Sequence, residues 1–379
     1  MTSTRPKALL LTPVLPEPGG SGRGLRAFCW LETLARTHEV HVLVFGAHAP
    51  IPGANPSPRA ASVRFVAAHV SRLWWLAMVL PPLVLRPGFG TDWLQMAPSD
   101  HDPLDGLPEP ERIVVFRLYL HDIARAVITR FPGARAEIDL DDSEARTRMS
   151  VARCLVRLGR WRAALRETAI ALQYAIAERF MTAPYRIAYL AAPEDIARLP
   201  RSLRGKAKVF ANRLAPPRLR PGPLRHFLFV GALDYRPNEE AVRFLLDRLA
   251  WRDHPLLIVG HGASEALRAR IAREKHVTLM AGADDLGSAY GEAIGVLVPL
   301  FSGGGTKLKT IEAFAHGRPV IATPQGARGL GARAGTHYIE AWTPRAFTDA
   351  MTRLARDEDG GTRIGQAGQA LWRGGFMLE

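Results

Sequence analysis

The sequence is short of cysteine, of long apolar runs and of metal-ligand spacings, and each shortage removes a class of protein. Two cysteines in 379 residues, Cys29 and Cys154, cannot build a disulfide framework. Both sit in apolar helical contexts and read as buried free thiols, which fits a reducing, cytoplasmic location. The longest nearly apolar stretch, Leu73 to Leu85, is broken by Pro81-Pro82 and falls short of the roughly 20 residues a spanning helix needs. Near the start, Ala8 to Leu11 stops at Thr12-Pro13, too soon for the centre of a signal peptide, and is read as a strand. No His, Cys, Asp or Glu group has the spacing of metal ligands; Asp141 and Asp142 are adjacent and are expected as solvated acids at a helix start, so no metal is expected. No nucleic-acid module is recognisable, and the basic residues are scattered among acidic ones rather than interleaved with aromatic platforms.

What is present is abundant apolar material and positive charge. With 379 residues and 47% hydrophobic composition, two domains are the natural expectation. Fifty Lys plus Arg against 36 Asp plus Glu give a formal charge of +14, which attracts polyanions such as phosphorylated substrates or an anionic membrane face, or reflects composition and solubility alone. Strand-like runs alternate with helical periodicity, the pattern of a parallel sheet covered by helices. Ala8 to Thr12, Val40 to Phe45, Ile113 to Phe116 and Ala136 to Leu140 are strand candidates, with a helix over Leu25 to Arg36 between the first two. Val151 to Phe180 reads as one long proline-free helix, basic in its first half through Arg153, Arg157, Arg160, Arg162 and Arg166. Pro184 to Arg225 is rich in Pro and Arg with few apolar runs, and a domain boundary is placed near Pro216 to Pro223. Beyond it, strands ending at Val230, Val259, Met280 and Leu300 each lead to glycine, which describes a sheet whose carboxyl edge faces a ligand.

The most informative segment is Ser302 to Leu330, SGGGTKLKTIEAFAHGRPVIATPQGARGL: strand, glycine loop, helix, stop, strand. Glycines let a backbone approach a ligand, the first amides of the helix point outward, and the helix dipole adds positive potential, so the loop suits an anion. Lys307 and Lys309 reinforce it, and Glu312, a turn further in, can accept from ribose hydroxyls. Gly317 and Pro319 are expected to end the helix.

This string resembles retaining glycosyltransferases of the family-4 type, which have the two-domain GT-B fold. FVGALDYRPNEEAVRFL at Phe227 to Leu245, PVLPEPGGSGRGLR at Pro13 to Arg26 and EIDLDDSEARTR at Glu137 to Arg148 carry the same resemblance, which spans about Ala8 to Leu330. It implies an α/β chain of two doubly wound Rossmann-like domains facing a central cleft. Residues 1–215 would form the acceptor side and 216–379 the nucleotide-sugar side, with the last helix free to pack back on the first domain. The implied activity is transfer of a hexosyl group from a UDP- or GDP-type sugar nucleotide to an acceptor hydroxyl, with no further cofactor. A glycan or lipid-linked acceptor follows, and the tryptophans Trp74, Trp75 and Trp93 together with the arginine helix suggest an anionic inner membrane face as a peripheral partner. Gly304, Gly305, Thr306 and Lys307 would line the donor diphosphate with Gly231 nearby, Glu312 would hold the ribose, and Gly19 and Gly20 would face the transferred sugar or phosphate. Lys309, Glu312 and His121 are the catalytic candidates, with Arg117 and Asp141 as further polarising groups near strand ends. Two departures stand out. Relatives often carry a glutamate eight positions before Glu312, where this chain has Gly304, and the basic residue common after the first strand of the second domain is missing unless Arg236 replaces it. A non-catalytic sugar-nucleotide binder and a nucleotide-sugar epimerase of the same fold are the alternatives.

Overall fold

Ala8, Leu9, Leu10 and Leu11 are all fully buried, so this run shows no inside–outside alternation. That is the mark of a strand covered on both faces, as in a parallel sheet between helices. The period of two survives in what each side chain meets: Ala8 and Leu10 pack with Trp30, Leu31 and Val42, whereas Leu9 and Leu11 pack with Leu43, Ile113 and Ile123. Each such leucine contributes about 1.5–3 kcal/mol on burial, which fixes this segment at the centre of its sheet.

The computed structural model describes residues 5–18, 22–46, 58–70, 94–96, 102–157, 159–180, 182–197, 199–249, 254–282, 286–356 and 358–378. Gly19, Gly20, Trp74, Trp75, Trp93 and the stretch Leu73 to Leu85 lie outside them. The chain forms two units, Met1–Asn212 and Arg213–Glu379.

The first unit holds β1 (Lys7–Thr12), β2 (Glu39–Gly46), β3 (Ser62–Val70), β4 (Leu94–Met96), β5 (Arg112–Phe116), β6 (Arg135–Asp141), β7 (Ile187–Leu190) and β8 (Ala207–Val209). Their order across the sheet is β4-β3-β2-β1-β5-β6-β7-β8, with β4 antiparallel to β3 and every other pairing parallel. The second unit holds β9 (His226–Val230), β10 (Leu256–Val259), β11 (Val277–Met280), β12 (Ala293–Val298), β13 (Val320–Ala322) and β14 (Ile339–Glu340), in the all-parallel order β11-β10-β9-β12-β13-β14. In each sheet the winding reverses once, between β1 and β5 and between β9 and β12. Such reversal points leave a crevice at the carboxyl ends of the two strands, where ligands bind in this class of fold. The terminal helix Glu358–Gly375 packs on the helix Leu308–Ala315, close enough that Gln369 donates to the Ala315 carbonyl at 3.2 Å.

Two expectations need correction. The single helix over Val151 to Phe180 is a pair, Glu144–Arg157 and Trp161–Phe180. Gly159 lies between them at φ 69°, a left-handed conformation that ends a helix and that glycine adopts without steric cost. The two helices run back along each other, as the contacts Arg148–Glu167 and Ala145–Glu178 show. The Pro- and Arg-rich stretch Pro184 to Arg225 contains β7 and β8, whose four and three residues are too short to register as apolar runs.

Candidate functional site

The reversal point of the second sheet brings together the glycine loop after β12 and the turn after β9. Gly303 and Gly305 sit at φ 103° and 61°, so the loop needs glycine at both. Lys307 then caps the helix Leu308–Ala315 without a side-chain capping bond of its own. The first N–H groups of any helix lack partners within it, so this start directs donors and positive potential into the crevice. The loop is braced from behind: Gln325 donates to the Gly303 carbonyl, Thr323 to the Leu300 carbonyl, and Thr310 to the Gly326 carbonyl at 2.6 Å. The helix ends where the sequence indicated, at Gly317 with φ 65°.

Lys307 is buried and donates from Nζ to the Gly304 carbonyl at 2.6 Å. Lys309 donates to Asn238 Oδ1 at 2.6 Å and lies 5.3 Å from the centre of the Phe229 ring. Burial, followed by the charge of Lys307, lowers the Lys309 pKa to about 8, against the opposing pull of Glu312. Asn238 is itself held by a 2.8 Å bond from Nδ2 to the Ala232 carbonyl. Gly231 is needed here for space: a Cβ at that position would stand 2.7 Å from Asn238 Nδ2 and 3.2 Å from Lys309 Nζ. Gly231, Gly304, Gly305, Thr306, Lys307, Lys309 and Glu312 all lie in one unit, on the turn after β9 and on the loop and helix after β12.

Glu312 accepts from the Tyr290 hydroxyl at 2.9 Å. Burial raises its pKa, with Tyr290 and Lys309 pulling the other way. Tyr290 in turn stacks on His316 with ring centres 4.3 Å apart and planes within 8°. Arg236, the candidate replacement cation, is engaged by Glu240 on its own helix at 2.9 Å. Asn238 and Tyr290 were not singled out from the sequence. Asn238 stands in the string that carried the resemblance, beside Pro237 at a helix start, and could have been noticed; Tyr290, 22 residues from Glu312, carries no local signal.

The first unit places its polar groups differently. His121, at the start of the helix His121–Arg130, is 4% exposed, and its Nδ1 lies 3.0 Å from the Tyr185 hydroxyl. Burial, with a smaller effect of Arg125, lowers its pKa to about 4, so it is a neutral ring in the core of this unit. Asp141 and Asp142, expected as solvated acids, are instead drawn inward, because two arginines are buried beside them. Arg117 pairs with Asp141 at 2.6 Å and reaches Asp142 and Glu144 at 3.3 Å. Arg26, fully buried, makes a bidentate pair with Asp139 at 2.7 Å and donates to Asn212 at 2.8 Å, while the Trp30 indole donates to the same aspartate. Arg117 and Asp141 leave the sheet at φ 88° and 62°, the two non-glycine residues with positive φ among the described residues. Such conformations cost on the order of 1–3 kcal/mol each, and the ion pairs hold them in place. Among the described residues no group of three or more His, Cys, Asp or Glu is placed to hold a metal ion.

Two parallel-sheet α/β units of this kind match the architecture of GT-B glycosyltransferases. Residues 225–357, from the edge of β9 through the helix Pro344–Arg356, match the family model described as Glycosyl transferases group 1. Among solved structures, sucrose-phosphate synthase from Thermosynechococcus elongatus is similar at a TM-score of 0.70 and 16% identity, over 98% of this chain and 95% of that one. HepE of Anabaena in complex with UDP-glucose is similar at 0.65 and 12%, over 98% and 96%. The E. coli trehalose-6-phosphate protein bound with UDP-2-fluoro glucose is similar at 0.60 and 11%, over 97% and 95%. The sequence matches no curated protein.

Proposed function

We propose that the chain transfers a hexosyl group from a sugar nucleotide of the UDP or GDP type to an acceptor hydroxyl, with retention, in the synthesis of a glycan or glycolipid. The observation that carries this reading is the crevice at the reversal point of the second sheet: a helix start, two left-handed glycines and two lysines around one position. The two phosphates lie against the amides of residues 304–308 and the ammonium groups of Lys307 and Lys309. Glu312 takes a ribose hydroxyl on the oxygen that Tyr290 leaves to it. In the reaction the bond from the anomeric carbon to the β-phosphate oxygen breaks and a bond to the acceptor oxygen forms. Charge grows on the leaving diphosphate, where fixed donors stabilise it most. Retention requires the acceptor to approach the face the diphosphate leaves, so the departing phosphate oxygen is the nearest base for the acceptor proton. A UDP donor is favoured by analogy with the UDP-bound neighbours. His121 takes no step in this chemistry.

A non-catalytic binder is the second reading, favoured by Gly304 at the position where relatives often carry glutamate. Thermal-shift titration with UDP, GDP, ADP and TDP, followed by turnover of the matching sugar nucleotides, separates the two. Nucleotide binding with nucleoside diphosphate release in the presence of an acceptor supports the enzyme; binding without turnover supports the binder. Glu312→Ala is expected to weaken the preferred nucleotide by about 1–3 kcal/mol, the scale of a charge-assisted hydrogen bond. An unchanged affinity would move the ribose elsewhere.

A further inference from the structure

Between residues 145 and 166 the sequence carries seven arginines and no carboxylate. The fold gathers them at the paired helices Glu144–Arg157 and Trp161–Phe180. Arg148 is occupied at the base of the pair by Glu144 and Glu167. Towards the connection at Gly159, Arg153, Arg157, Arg160, Arg162 and Arg166 are all exposed. Large apolar side chains are exposed on the same two helices: Trp161 is 62% exposed, Leu165 71%, Leu172 46% and Val156 40%. Trp161, Leu165 and Leu172 are four and seven residues apart, so they form one ridge along their helix. The opposite side of that helix, with Ala164, Ile170, Ala171, Tyr174 and Ala177, is buried in the unit's own core, so the exposed ridge is not surplus core.

We propose that this helix pair docks the protein on an anionic lipid surface, with Trp161 and Leu165 entering the interface and the surrounding arginines meeting lipid phosphates. An amphipathic surface with aromatic and leucine residues on one face and arginine beside them has the chemistry of a helix lying in the plane of a bilayer. No helix among the described residues is long and apolar enough to cross one, so the contact is peripheral. A second copy of the chain is a poor occupant, since symmetric pairing would set five arginines against five. The tryptophans Trp74, Trp75 and Trp93 that the sequence also offered lie outside the described residues, and the inference rests on residues 156–172 alone. This inference stands apart from sugar transfer: vesicle binding without turnover would keep it and remove the proposed reaction, and turnover without vesicle binding would do the reverse.

The test is co-sedimentation of the full chain with vesicles of phosphatidylcholine alone or mixed with phosphatidylglycerol, at low and high salt. The wild type is expected on the mixed vesicles only, and less at high salt because surface charge is then screened. Trp161→Ser with Leu165→Ser, and separately Arg157→Glu with Arg160→Glu, are expected to bind at least tenfold more weakly. Their melting temperatures and nucleotide-induced thermal shifts should stay as in the wild type, because the substituted side chains are exposed. Absence of wild-type binding at low salt overturns the proposal, as does undiminished binding by the Trp161 and Leu165 variant. A dimer without vesicles that this variant abolishes would also overturn it, in favour of self-association.

Discussion

Lys309 answers to two opposed demands. It must carry charge to meet a diphosphate, yet burial and the neighbouring Lys307 lower its pKa to about 8, and only Glu312 among its charged neighbours favours the ammonium form. The ring of Phe229 and the amide oxygen of Asn238 hold it in this state until a ligand arrives. A diphosphate supplies the missing counter-charge, so the lysine is poised to gain most where negative charge is largest, on the leaving group. The sign of the pH effect follows. Below about 8 the free protein holds Lys309 protonated; above it the charge is lost, and kcat/KM for the donor should fall towards tenfold per pH unit. Lys309→Arg should move that limb to higher pH, since a guanidinium stays protonated. Lys309→Ala should lower kcat by tenfold or more with a smaller change in nucleotide Kd, a loss confined to the transition state. Steady-state kinetics across pH 6 to 10 on the three proteins checks each point, and a flat wild-type profile would remove Lys309 from the leaving-group role.

At the scale of elements, the paired helices of the first unit are joined by a carboxylate as well as by packing. Glu178, buried on the helix Trp161–Phe180, accepts from Ser143 Oγ at 2.9 Å and from the Ala145 amide at 3.1 Å, capping the helix Glu144–Arg157. Burial is the largest influence on it, the two hydrogen bonds oppose, and Asp142 and Glu144 add repulsion, leaving a pKa of about 7. A carboxyl raised in this way binds its proton more tightly folded than unfolded. Its contribution therefore favours the folded chain at acid pH and declines as pH rises from the unfolded value near 4.5 through about 7, by on the order of 3 kcal/mol. Glu178→Gln keeps an acceptor for the amide and removes the charge, so its melting temperature relative to wild type should climb between pH 5 and 8; a constant difference would show that Glu178 does not titrate there. None of this was legible in the sequence, because Glu178 meets Ser143 across 35 residues. What was legible is local. The strands Leu256–Val259 and Val277–Met280 stand where strand-like runs led to glycine, and the helix before Gly317 stops where a left-handed residue and Pro319 require it. The crevice was half legible: the glycine loop and its lysines share one string, whereas Asn238 reaches Lys309 only once β9 and β12 lie side by side. The acids after β6 were misread for the same reason, since nothing near Asp141 in sequence announces that Arg26 and Arg117 will be buried against it.

At the scale of the whole molecule, the charge of +14 and the division into two units bear on where a ligand's binding energy goes. Each unit has its own sheet and its own reversal point, and the proposed nucleotide contacts all belong to residues 213–379. A ligand that binds only the folded form adds stability by mass action, about 2.7 kcal/mol at a hundredfold excess over its Kd, to the part of the chain that must be folded to hold it. Hydrogen exchange of the full chain with saturating nucleoside diphosphate should therefore slow most at residues 303–311 and 231–238, and next at the strands β9 and β12 behind them. Amides around Arg26, Asp139 and Glu178 should change little, because their protection comes from an ionic core that is complete without ligand. The positive field of the molecule would draw a diphosphate to many surfaces, but a diffuse electrostatic attraction fades with salt and slows exchange nowhere in particular. Protection at the glycine loop that survives high salt would mark a built site, whereas protection confined to arginine-rich surfaces and lost in salt would reduce the second unit's crevice to one positive region among several.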